Sequence, residues 1–214
     1  MGVRGLLGRF FCAMPRKVAT DALSLFDTLV YTCEYRLVID PTSTAMARVM
    51  EWKQLLRERI GKFDGAYQMP GIVLMRTELP PEYEGPLADA IVRGSSGFMP
   101  FGLNLSGLAH TEDKKTIYVN VLERGTVAAL RQRIVDHVRS DRRIKKLGVA
   151  VTEHAMLTIA TGLKPSQFNT AWAALAPFGF TTQQRVSDVV LMKREMADDS
   201  MDQHLRTFPL DPAH

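Results

Sequence analysis

The sequence predicts an α+β domain built as two lobes around a shared cleft. Three observations carry that expectation. Apolar periodicity switches repeatedly between two and 3.6 residues, the resulting order is βαβα, ββ, αβαβ, and the strands of the middle pair alternate apolar with polar residues. A chain of 214 residues with 46% hydrophobic content is long enough for one domain with a full core.

The elements follow in order. YRLVID (35–40) reads as a strand stopped by Pro41, and 43–61 as a helix with Ser43 or Thr44 as N-cap, Met46, Val49, Met50 and Leu56 on its apolar side, and Gly61 as stop. QMPGIVLM (68–75) is the next strand, with Gly71, Val73 and Met75 at its alternating outward positions. PLADAIVRG (86–94) reads as a short helix between Pro86 and Gly94. FMPFGLNLSGL (98–108) and KTIYVNVLE (115–123) form a hairpin across a polar turn containing His110, and 125–140 is a helix with Thr126 as N-cap. VAVTEHAMLTIAT (149–161) reads as one strand, 164–179 as a helix with Pro165 in its first turn, and FTTQQRVSDVVLMKRE (180–195) as one last strand. Residues 1–33 read as an extension, 34–195 as the domain, and 196–214 as a polar, frayed tail.

Along the hairpin, Leu103, Leu105, Ile117 and Val119 belong to an apolar face, whereas Asn104, Ser106, Tyr118 and Asn120 point the other way. A polar sheet face of this kind is either a ligand surface or a solvated one.

Composition excludes several classes. Cys12 and Cys33 have no His/Cys spacing around them, so neither a disulfide framework nor a zinc site is indicated, and a reducing, cytoplasmic setting is expected. Arg9 interrupts the apolar residues near the start, which argues against an export signal, and no apolar run reaches membrane-spanning length. The net charge of +4 permits a polyanionic partner without demanding one. No metal or other cofactor is expected, because carboxylate pairs at metal-ligand spacing, a Gly-rich phosphate loop and a serine elbow are all missing from the sequence.

The element order, together with YRLVIDP, WKQLLRERIG, TIYVNV and above all LTIATGLKPSQF followed by FTTQQRVSDVVLMKRE, resembles the two-histidine (2H) phosphoesterases, a family that includes 2′-5′ RNA ligase-like proteins and RNA cyclic phosphodiesterases. The resemblance spans about residues 34–195. It implies two pseudo-symmetric halves whose antiparallel sheets face a central cleft. It also implies a His-x-Thr/Ser motif on each inner strand, one imidazole taking a proton from the attacking oxygen and the other protonating the leaving oxygen. Here Gly71 and Val73 stand at the first motif, and Met156 stands where the second histidine would be, with only Thr158 matching. Each missing acid or base forfeits roughly 10²–10⁴ in rate.

The resemblance therefore implies a degenerate, inactive or weak 2H protein that binds a nucleotide or RNA end, with Thr158, His154, Asn104, Ser106, Tyr118 and Asn120 lining the cleft and Arg36 or Arg76 meeting phosphate. Two alternatives stay open. His154, two residues before Met156, shares its strand face if the alternation continues and would then act as a displaced catalyst; or the chain is a protein-interaction scaffold. The basic run Arg139, Arg142, Arg143, Lys145 and Lys146 leads into the Thr158 strand and offers a track for a phosphate backbone.

Overall fold

The structure, a computed structural model, describes residues 32–145, 148–151, 154–196 and 201–210. Most of the expected N-terminal extension, Lys146 and parts of the C-terminal tail lie outside the described residues. The elements are β1 (Cys33–Ile39), α1 (Ser43–Ile60), β2 (Ile72–Leu79), α2 (Glu84–Ser95), β3 (Phe101–His110), β4 (Ile117–Val121) and α3 (Arg124–Ser140). They continue with β5 (Val149–Val151), β6 (Met156–Ala160), α4 (Pro165–Leu175), β7 (Thr181–Val186), β8 (Asp188–Glu195) and β9 (Gln203–Pro209).

Local chemistry sets the helix ends. Thr42, directly after Pro41, caps α1 in place of Ser43 or Thr44, its hydroxyl accepting from Ala45 N at 3.2 Å. Gly61, at φ 74°, stops the same helix. Pro165 opens α4 as expected. Gln167 in its first turn accepts from Lys164 N and donates to the carbonyls of Ile60 and Lys62, so one side chain serves the start of α4 and the end of α1. Helix α3 starts at Arg124, ahead of the expected Thr126 cap.

All the strand pairings are antiparallel, in the order β7-β3-β4-β6-β2-β1-β8-β9, with β5 also on β2. The segment 180–195, expected as one strand, is two. Strand β7 lies on β3 and β8 lies on β1, with Ser187 alone between them. A one-residue joint between strands so far apart in the order requires the sheet to curl into a half-barrel. The expected strand 149–161 is likewise two, β5 and β6, each pairing with β2.

One sheet face carries the core. Tyr35, Leu37, Ile39, Ile72, Leu103, Leu105, Ile117, Val119, Leu157 and Leu191 are buried there with apolar residues of all four helices. Helices α2 and α3 pack together, as do α1 and α4. Residues 203–209 extend the same sheet where a frayed tail was expected. Phe208 and Leu210 are buried, and β9 pairs with β8 from Asp188↔Pro209 to Lys193↔Gln203.

Candidate functional site

The site is built on the sheet face that the helices leave uncovered. In β1, Glu34, Arg36 and Val38 take this face while Cys33, Tyr35 and Leu37 enter the core. A β-bulge then changes what β2 presents. Leu37 pairs with Met75 but Val38 pairs with Val73, so Leu74 is the extra residue and the alternation reverses around it. Met75 is therefore fully buried in the core, correcting the expectation that it lies outward, and Arg76 takes the open face directly opposite Arg36.

Strand β6 is the neighbour of β2, with Ile72 opposite Leu157, so Gly71 and Val73 flank the Met156 to Thr158 stretch across one strand boundary. Thr158 pairs in turn with Tyr118, and Met156 with Asn120. All four of these, and Val73, are half-buried. The structure thus brings Gly71 and Val73 close to Met156 and Thr158, the four positions at which the sequence resemblance expects the two motifs.

Their surroundings are apolar. A Cβ placed on Gly71 would lie 3.1 Å from Val38 Cβ and 3.3 Å from both its γ-carbons. Val38, Val190 and Met192, with Val73 packed against them, form a second buried cluster separate from the main core. A side chain at Gly71 would thus press on Val38, which would have to give by a few tenths of an ångström to admit it.

The remaining expected residues fare differently. His154 is exposed in a bend before β6 begins at Met156, so strand alternation does not extend to it and does not place it beside Thr158. Asn104 donates through its backbone and its side chain to Glu123, each at 2.6 Å, and Asn120 accepts from Arg124 at 2.8 Å. Both amides are committed to local structure. Ser106 is half-buried on β3, opposite Thr181 of β7. His110, expected in a turn, ends β3 and packs edge-on against Phe168 and Trp172 of α4 at 5.2 and 4.9 Å.

Charge is distributed otherwise than the sequence suggested. Arg143 of the basic run donates to Asp141 and Asp89, and Arg93 of α2 also reaches Asp141 at 2.6 Å. Hydrogen bonding from Arg143, foremost, holds the Asp141 carboxyl well below the usual carboxylate range. Arg143 is thereby neutralised on the α2 and α3 side. The open face instead collects Arg36, Arg76 and Arg194 around Glu34, with Arg194 at 2.5 Å and Arg76 at 3.7 Å from its carboxylate. Arg36 is buried and pairs with Asp202, while the Arg76 side chain stays 44% exposed and able to meet a ligand.

Sequence reasoning missed Asp202, Gln68 and Lys53. Lys53, buried on α1, donates to Gly65 O at 2.7 Å and Gln68 O at 2.9 Å, and burial, helped by the charge of Arg36, pushes its ammonium down to about 8. It also missed His204. A bulge in the β8 and β9 pairing sets His204 opposite Met192 and Thr207 opposite Val190, with Nε2 2.9 Å from the Thr207 hydroxyl. That pair lies four strands from β6 in the sheet order, with β2, β1 and β8 between. Among the described residues no group of three His, Cys, Asp or Glu side chains is placed to hold a metal ion, and no helix is long and apolar enough to cross a membrane.

Neither a family model nor a curated protein sequence matches the chain. Solved structures do. Escherichia coli LigT with 3'-AMP superposes at a TM-score of 0.57 and 12% identity, covering 84% of this chain and 98% of its own. TT0787 of Thermus thermophilus does so at 0.59 and 17%, covering 86% of this chain and 100% of its own. A further crystal structure described as a phosphoesterase matches at 0.54 and 13%, over 83% of this chain and 98% of its own.

The fold is that of the LigT-like 2H phosphoesterases. Within the LigT-like fold, the curled antiparallel sheet of this chain presents Gly71, Val73, Val38 and Met156 together on its open face, with Thr158 and Tyr118 beside them.

Proposed function

We propose that this chain is a degenerate 2H phosphoesterase that binds a nucleotide or RNA phosphate on the open face of its sheet and does not catalyse by the two-histidine mechanism. The observation that carries this reading is the Val38 side chain packed 3.1 Å from where any Gly71 Cβ would stand. With Gly71, Val73 and Met156 at the motif positions, no imidazole is present to take or give a proton there. What remains suits binding: the Thr158 hydroxyl and Tyr118 paired on adjacent strands, and a partly exposed Arg76 on the same face. LigT crystals containing 3'-AMP and ATP add weight to a nucleotide as the ligand class. A cytoplasmic setting accompanies the proposal, in keeping with Cys33 as a buried free thiol.

The experiment pairs turnover with binding. Purified protein is expected to leave 2′,3′-cyclic nucleotides intact while binding 3'-AMP at low salt, and Thr158→Val should weaken that binding about fivefold, the worth of one hydrogen bond near 1 kcal/mol. Turnover that survives repurification and disappears in His154→Ala would overturn the reading in favour of a displaced catalyst. Absence of any phosphate ligand would favour an interaction scaffold.

A further inference from the structure

Among the described residues, the Arg36 and Asp202 pair combines deep burial with unused hydrogen-bonding atoms. Both side chains are almost fully buried, at 4% and 1% exposure, although they lie away from the helix-packed core. Asp202 Oδ2 accepts from Arg36 Nη2 and from the backbone N–H of Met69 at 2.9 Å. Gln68 links the neighbourhood, its amide oxygen 3.4 Å from Arg36 Nη1 and its carbonyl accepting from Lys53.

The fit is incomplete. Arg36 Nε and Asp202 Oδ1 are both buried without a hydrogen-bond partner, so the guanidinium fork is only partly used and one carboxylate oxygen makes no bond at all. Lys53, a second buried cation, is near enough for its charge to interact with Asp202, although it bonds to the Gly65 and Gln68 carbonyls. A tetrahedral phosphate has more oxygens than a carboxylate to share between a guanidinium and a backbone N–H, and carries more negative charge.

We propose that Arg36 and the Met69 N–H form an oxyanion site for a phosphate group, and that Asp202 occupies it as a built-in stand-in. The proposal rests on the phosphate-binding reading for its ligand class and moves the strongest anion contact from Thr158 to Arg36. Asp202 directly precedes β9, so a phosphate entering the site must displace the start of the edge strand. The chain is self-ligated until that happens.

The test titrates inorganic phosphate, at ionic strength matched with chloride, into the wild type, Asp202→Ala, Asp202→Asn and the double variant Arg36→Met/Asp202→Ala, with folding checked by circular dichroism. Asp202→Ala is expected to bind phosphate at least tenfold more tightly than the wild type, Asp202→Asn at least threefold, and the double variant no better than the wild type. Should Asp202→Ala fail to fold, Asp202→Asn decides, since its amide oxygen still accepts from Arg36 and Met69 without the charge. Unchanged phosphate binding in the folded Asp202 variants, or tightening that survives loss of Arg36, overturns the proposal, as does failure of both single variants to fold even in phosphate. Wild-type binding of 3'-AMP that none of these changes affects would overturn it while leaving the function proposed above intact. Phosphate capture by Asp202→Ala in a protein whose wild type binds no nucleotide would do the reverse.

Discussion

Replacing Gly71 by Ala adds one methyl group at the point where the two halves of the motif meet. The new Cβ would stand 3.1 Å from Val38 Cβ and 3.3 Å from each Val38 γ-carbon, closer than the roughly 3.5–4.0 Å at which carbon atoms attract. Val38 is 3% exposed and clustered with Val73, Val190 and Met192, so its side chain has little room to give. Overpacking of this kind costs about 1–3 kcal/mol, while the stiffer unfolded chain of an alanine returns about 0.4–1 kcal/mol. The expected net is a loss of about 1 kcal/mol, or about 2–4 °C in Tm for a chain of this size. Val38→Gly removes all three of these carbons, so in that background Gly71→Ala should cost little, giving a coupling of about 1 kcal/mol in a double-mutant cycle, whereas Val38→Ala, which keeps the Cβ at 3.1 Å, should relieve only part of it. Urea denaturation of the four proteins measures it. A Gly71→Ala protein as stable as the wild type, with no coupling to Val38, would refute the claim that the motif position is sterically filled.

Three further expectations are open to test. Gly71→His with Val73→Thr and Met156→His should restore little cyclic phosphodiesterase activity unless Val38→Ala is added, and equal activity with and without the Val38 change would count against the packing argument. Lys53 is held near 8 in the folded state against an ordinary 10.5, so between those values the unfolded chain binds more protons and stability rises with pH; measured as the difference from Lys53→Met, the rise should be about 3 kcal/mol, and a flat difference would contradict it. Charge reversal at Asp141, as Asp141→Lys, should lower stability by repulsion from Arg93 and Arg143 while leaving 3'-AMP binding unchanged, which affinity measurements on the folded variant check.

Much of the fold was legible because apolar periodicity is strong in α1, α3, α4, β1 and the β3 and β4 hairpin. The bulge at Leu74 was not. IVLM is apolar on both sides of the strand, so no polar residue marks where the alternation reverses, and Met75 turns into the core. Nor was the joint at Ser187, since TTQQRVSDVV has no Gly or Pro to announce a break; the separation of β7 from β8 is decided by which strands each one meets. Strand β9 escaped notice because QHLRTFP anchors itself with little beyond Phe208.

For the site, alternation put Asn104, Ser106, Tyr118 and Asn120 on one face and the family resemblance added Thr158; in the register Tyr118 meets Thr158 and Asn120 meets Met156, whereas Asn104 and Ser106 meet Gln183 and Thr181 of β7 beside a shift in the β3 and β4 pairing. The placement of His154 by alternation needed a strand through Ala155, whereas β6 begins at Met156 and His154 lies in a bend before it. Arg36 was named as a phosphate partner, but its actual neighbour Asp202 comes from so distant a stretch of chain that no local pattern could pair them. Two charges at 34 and 36 in an otherwise apolar strand were the available hint that something ionic covers that face.

The order of strands also governs when this molecule can exist as a folded object during its synthesis. Strand β1 is flanked by β2 and by β8, with Cys33 opposite both Leu79 and Glu195, and β9 closes the outer side of β8. The four strands β3, β4, β6 and β7 can assemble from a nearly continuous stretch, whereas β1 waits for β8, which is synthesised after all of them. Until then the β1 edge that pairs with β8 has no partner strand. A nascent chain stalled before residue 188 therefore holds one half of the sheet without the other, and the Ser187 joint is where a growing polypeptide stops being a half and becomes a whole.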